Sequence, residues 1–102
     1  MYVLVTYDVK ANRTVRFRKT LSRYLLHEQN SVFAGNMTAS QLKRLRRDLS
    51  RIAEEGDRLF EVVAENRHNV SVSLLSKSQE NGVLVAQVHG DHRMDSTIMG
   101  SE

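Results

Sequence analysis

From Tyr2 to Tyr7 the chain is apolar at nearly every position, and β-branched residues recur. A run this short and continuous predicts a strand buried on both faces and central in its sheet. Asp8 ends it. Residues Asp8 to Asn12 read as a turn, with Asn12 as helix N-cap. Arg13 to Leu26 then carries Phe17, Leu21, Tyr24 and Leu25 at i, i+4, i+7 and i+8, the spacing of one buried helical stripe. Between His27 and Asn36, Gln29, Ser31 and Phe33 would share one face of a strand, with Asn30 and Val32 on the other. Gly35 with Asn36 permits a bulge or tight turn, so this stretch holds one kinked strand or two short ones.

Thr38-Ala39-Ser40-Gln41 matches a capping box, in which Thr38 caps the helix and Gln41 reaches back. The helix it opens, to about Glu54, would bury Leu42, Leu45, Leu49 and Ile52, and Glu55-Gly56-Asp57 would end it. Arg58 to Glu65 is strand-like. Val70, Val72 and Leu74 alternate with Ser71 and Ser73, the pattern of a half-buried strand. Ser76 to Gly82 is a polar loop, and the apolar run Val83 to Val88 completes a hairpin with the strand before it. Met94 to Glu102 reads as a disordered tail. The element order predicts one α+β domain over residues 1–93, a ferredoxin-like βαββαβ sandwich with extra C-terminal strands. Two helices cover one sheet face, so the other face needs burial. A homodimer, with or without exchange of terminal strands, would supply it.

Composition narrows the chemistry. The chain has 102 residues and is 40% hydrophobic, enough for one core and too short for two ordinary domains. Without cysteine it holds no disulfide, iron–sulfur cluster or Cys-ligated zinc. No apolar run approaches a membrane span, and no basic-then-apolar leader opens the sequence, so a cytoplasmic protein is expected. Fifteen Lys and Arg against twelve Asp and Glu leave a net charge of +3, too mild to argue for nucleic acid. The distribution says more. Basic residues are dense up to Arg51, while Glu54, Glu55, Asp57, Glu61 and Glu65 crowd the following segment.

Two constellations follow. Asp8 closes the first strand, where a lone Asp is more often a turn or cap residue than a ligand. Arg16, Lys19 and Arg23 recur on the polar side of the first helix, as do Lys43, Arg44, Arg47 and Arg51 on the second. On an isolated helix such charges are usually a solvated face. His89-Gly90-Asp91-His92 could bind a metal, although a polar tail is the better reading of so short a tract.

Tyr7-Asp8 at the strand end, an Arg-rich first helix, Gln29-Asn30-Ser31-Val32-Phe33-Ala34-Gly35 and Thr38-x-x-Gln41-Leu42 together resemble the small CRISPR-associated Cas-two family. The resemblance spans Met1 to Phe60 and fades in the C-terminal third. It implies a ferredoxin-like homodimer that pairs with the Cas-one integrase during spacer capture. It also implies a metal-dependent endonuclease acting on RNA or DNA, with Asp8 as catalytic and metal-binding carboxylate. Arg13 and Arg16 are the positions implied for the family's basic residues after that Asp. Ser31 and Phe33 match directly, and Tyr7 with them would support the site. Where the family often carries a basic residue before the Gln-x-Ser-Val-Phe strand, this chain has His27 and Glu28, which weakens phosphate clamping there.

One carboxylate makes a poor magnesium site, since Mg²⁺ demands near-octahedral oxygen ligation. A twofold axis beside Asp8 would bring one Asp8 from each subunit to a shared Mg²⁺ or Mn²⁺. Arg13, Arg16, Lys19, Arg23, Lys43, Arg44, Arg47 and Arg51 would line the backbone of double-stranded DNA or of RNA without reading its sequence. Two rivals remain on the sequence alone. One is a stand-alone ribonuclease toxin of the same fold, which would not co-purify with an integrase. The other is a non-enzymatic ferredoxin-like regulatory dimer, which would need an effector pocket at the subunit seam.

Overall fold

A computed structural model of the protein describes residues 1–66, 68–77 and 84–92, with residues 85–92 described by their backbone. Strand β1 (Tyr2–Asp8) leads through a 3-10 turn (Ala11–Arg13) into α1 (Thr14–Ser22). Then come β2 (Leu26–Gln29), β3 (Val32–Asn36), α2 (Ala39–Ile52), β4 (Arg58–Asn66), β5 (Asn69–Lys77) and β6 (Leu84–His92). All pair antiparallel in one sheet of order β2-β3-β1-β4-β5-β6. The first four strands have the ferredoxin-like order, and the β5–β6 hairpin extends the sheet beyond β4 within the same chain. The expected tail, residues 94–102, lies outside the described residues.

The core forms on one side of the sheet. Val3, Val5 and Tyr7 of β1 are buried with Phe17, Leu21 and Leu25, with Phe33, with Leu42, Leu45 and Leu49 of α2, and with Leu59 and Leu75. β1 is central, as its pattern predicts, but helices cover only one of its faces. Both crossover connections carry their helices to that side. Leu4 and Thr6 on the other face stay half-buried, and Tyr2 is 46% exposed. The expectation of burial on both faces therefore fails for the single chain.

Several boundaries shift for local reasons. α1 starts at Thr14, not after an Asn12 cap, because Arg13 turns inward toward Asp57. It ends at Ser22, so Tyr24 and Leu25 keep helical spacing in sequence while sitting in the turn before β2. Asn30 takes φ 43°, a left-handed conformation tolerated by Asn, and splits the following stretch into two strands. Gln29, Ser31 and Phe33 therefore do not line one face. The Thr38–Gln41 capping box is formed in both directions, at 2.9 and 3.1 Å. α2 stops at Ile52, and Gly56 takes the positive φ of 96° that the turn into β4 requires.

β5 turns most of its apolar alternation away from the helices. Its register sets Leu75 opposite Leu59 and Ser73 opposite Glu61, on the helix side, while Val72 and Leu74 stand opposite Val62 and Phe60 on the uncovered side. The helix-side polar groups have partners. Arg46 of α2 pairs with buried Glu61, and Lys77 donates to the carbonyls of Ser50 and Ala53 at 3.3 and 2.6 Å. The lysine thus meets the C-terminal end of α2, where unpaired carbonyls favour a cation. Among the described residues no buried side-chain polar atom lacks a partner.

Candidate functional site

Alternation along β1 decides where its polar residues go. Val3, Val5 and Tyr7 point to the helices, so Tyr2, Leu4, Thr6 and Asp8 share the uncovered face. Antiparallel register brings Val32, Ala34, Phe60, Val62, Val72 and Leu74 to the same face. Leu26 of the edge strand joins them, 73% exposed, and Phe60 is 41% exposed. The result is an apolar band with Asp8 at one end.

The Asp8 carboxylate is exposed and makes no hydrogen bond or ion pair with any described residue. It caps no turn; the 3-10 turn that follows β1 begins without a side-chain cap. Thr6, Tyr7, Asp8, Arg58, Leu59, Phe60 and Leu74 line an open depression of about 240 Å³ at this end of the sheet. Beside it, the hydroxyl of Thr6 on β1 shares a hydrogen bond of 2.9 Å with that of Ser31 in the turn between β2 and β3. Tyr7 stacks on Phe17 with centroids 5.7 Å apart, and Phe33 is fully buried with His27 stacked on it at 4.5 Å. Tyr7 and Phe33 are thus a rigid floor under the site and offer no platform for a base.

The basic residues divide. Arg16, Lys19, Arg23, Lys43, Arg44, Arg47 and Arg51 are all exposed on α1, α2 and the turn after α1. Arg13, expected to act with them, is not among the exposed set. Its side chain is 14% exposed. Its Nε and Nη2 donate to Asp57 at 2.7–3.1 Å, Nη2 also donates to the Ile52 carbonyl at 2.7 Å, and Nη1 lies 3.2 Å from Glu54. The hydrogen bond to Asp57 raises the pKa of Arg13 still further. Asp57 in turn accepts from the Glu54 N–H at 2.9 Å. This lock fastens the segment after Asp8 to the turn that enters β4.

One carboxylate interrupts the basic surface. Asp48 accepts from the Tyr24 hydroxyl and lies 3.6 Å from both Arg23 and Arg51. The Tyr24 bond, aided by the nearby arginines, holds the Asp48 carboxyl below its ordinary range.

Among the described residues no three His, Asp or Glu side chains gather as a metal site. Residues 89 and 90 and their neighbours to 92 belong to β6, so the tract considered as a metal-binding tail continues the sheet. No described helix is long and apolar enough to cross a membrane. Arg58, which stands across from Asp8, was invisible to sequence reasoning. Only the register identifies it.

Similarity to known proteins agrees with this geometry. Residues 1–71 match the family model described as CRISPR associated protein Cas2. A protein of Thermodesulfovibrio yellowstonii named CRISPR-associated endoribonuclease Cas2 3 is 34% identical over 80 residues, covering 78% of this chain and 91% of that one. A Haloferax volcanii protein named CRISPR-associated endoribonuclease Cas2 is 35% identical over 82 residues, covering 80% and 95%. Among solved structures, a chain titled as the crystal structure of cas2 superposes with a TM-score of 0.57 at 44% identity, covering 60% of this chain and 70% of that one. With the ferredoxin-like sheet order and the Tyr-Asp strand end both in place, the chain belongs to the CRISPR-associated Cas2 family.

Proposed function

We propose that the protein is a metal-dependent endonuclease that hydrolyses RNA phosphodiester bonds at a site built around Asp8 by two copies of the chain. The observation that carries this reading is the Asp8 carboxylate itself, exposed at the end of the uncovered face and engaged by no described residue. A structural strand-end Asp would normally bond a nearby backbone N–H. The endoribonuclease names of the two relatives support the substrate class.

The donor set of one chain does not fit Mg²⁺ or Mn²⁺, because a single carboxylate leaves too few oxygen ligands for a preference near six. A second copy corrects the shortfall. The apolar band of Tyr2, Leu4, Phe60, Val62, Val72 and Leu74 is the kind of contiguous surface that a partner covers. A homodimer packed on it would carry the second Asp8 into the same interface. The bound ion supplies charge neutralisation and a water of lowered pKa. The chain contributes the carboxylate, the Thr6–Ser31 hydroxyl pair beside it and the Tyr7–Phe33 floor that fixes the strand end.

The test is cleavage of a defined single-stranded RNA with and without Mg²⁺, comparing the wild type with Asp8→Asn purified through the same columns. Wild-type cleavage should need the metal, and Asp8→Asn should lose it by about a hundredfold or more. Equal cleavage by both proteins would sink the assignment. A second reading rests on the exposed arginines and lysines of both helices. In it the dimer serves as a CRISPR adaptation subunit, holding double-stranded spacer DNA between Cas-one integrase subunits in the cytoplasm.

A further inference from the structure

Antiparallel pairing of β1 with β4 sets Arg58 directly opposite Asp8. Residues so placed project from the same face, with Cβ atoms roughly 5 Å apart. Both side chains are exposed, and both line the depression at the end of the uncovered face. The other arginines that meet a carboxylate here are engaged. Arg13 holds Asp57, Arg46 holds Glu61, and Arg23 and Arg51 flank Asp48. Asp8 and Arg58 form no such pair, and Arg58 makes no hydrogen bond or ion pair with any described residue.

The backbone of Arg58 is nevertheless fixed. It sits in the ladder between Asp8 and Ser76. Its neighbour Asp57 is buried and held by two nitrogens of Arg13 and by the Glu54 N–H. The site therefore presents a guanidinium bonded to no described residue, on a positioned strand, beside a carboxylate that would repel an anion approaching alone. A guanidinium offers paired N–H donors whose spacing matches two oxygens of a phosphate.

We propose that Arg58 is the phosphate-binding residue of the Asp8 site, donating to the non-bridging oxygens of the phosphodiester that Asp8 addresses. The inference rests on the reading of Asp8 as the centre of a phosphodiester site, and it adds a residue that neither strand pattern nor family likeness marks. Binding is read with a fluorescent single-stranded RNA in EDTA, in an Asp8→Asn background where cleavage cannot intrude. Adding Arg58→Ala should weaken binding about tenfold and lower the slope of log affinity against log salt by roughly 0.7, the share of one phosphate on a single strand. Arg58→Lys should restore the slope but only part of the affinity, since it keeps the charge and loses the fork. The unfolding midpoint should barely move in either variant, because Arg58 bonds no described residue of the folded chain. Unchanged affinity and slope in Arg58→Ala would overturn the proposal, and so would a loss matched by an equal loss of fold stability. In the otherwise wild-type chain the two claims separate. Metal-dependent cleavage lost with Asp8→Asn yet intact with Arg58→Ala removes Arg58 alone, whereas cleavage intact with Asp8→Asn removes the site.

Discussion

At the scale of single residues, partners decide what a charge does. Arg13 and Arg58 are both arginines near the end of β1, and the family resemblance implies Arg13 as the contact for nucleic acid. The structure gives them opposite duties. Arg13 bonds Asp57, a residue 44 positions away and 3% exposed, so it serves the fold. Arg13→Ala should cost about 3 kcal/mol, the lower end for leaving one member of a buried ion pair unpaired, because Asp57 keeps its bond from Glu54. Urea unfolding measures this, and RNA affinity per folded molecule should stay at the wild-type value. A variant that kept its stability and lost affinity would return Arg13 to the binding surface. Asp8 was legible from sequence because a strand pattern visibly ends on it. Arg58 was not, because a charge at the start of a strand looks like any flanking residue until register supplies its opposite number.

At the scale of elements, periodicity found every helix and strand of the described chain but missed some ends and left one strand's orientation open. The helical stripe through Phe17 and Leu21 continues arithmetically to Tyr24 and Leu25, although the chain has already left α1. Spacing alone cannot register that break. The Thr38 capping box, in contrast, is a local mechanism, and it sits where the sequence places it. β5 shows the limit of alternation: its Val-Ser pattern identifies a strand with two unlike faces, but not which face meets the helices. Here the apolar face turns away from them, as a surface awaiting a partner would. The helices carry their own claim. Exposed Arg16, Lys19 and Arg23 on one side, with Lys43, Arg44, Arg47 and Arg51 on the other, suit sequence-blind contact with a duplex, tempered by Asp48 between Arg23 and Arg51. Duplex DNA affinity should therefore fall with salt, by roughly 0.9 log units per log unit of salt for each phosphate neutralised. Titrations of one duplex at several salt concentrations give the slope, and substituting Arg44 and Arg47 together should reduce it. A flat response would leave these side chains as a solvated face.

At the scale of the whole molecule, one chain closes its core on the helix side of the sheet and leaves the other side uncovered. The helix side is closed by buried apolar residues and satisfied ion pairs. The opposite side leaves Tyr2 and Phe60 nearly half exposed and ends on a carboxylate without a described partner. On the proposed reading, a second copy laid on that face would bury the band and bring a second Asp8 carboxylate in one step. The most direct measurement uses a mixed dimer, one subunit wild type and one Asp8→Asn, isolated through a different affinity tag on each. Its Mg²⁺-dependent RNA cleavage is compared with that of both parent dimers. If the two carboxylates act as one site, the mixed dimer cleaves no faster than the Asp8→Asn dimer. A mixed dimer that retains about half the wild-type rate, as two independent subunits would, contradicts the account.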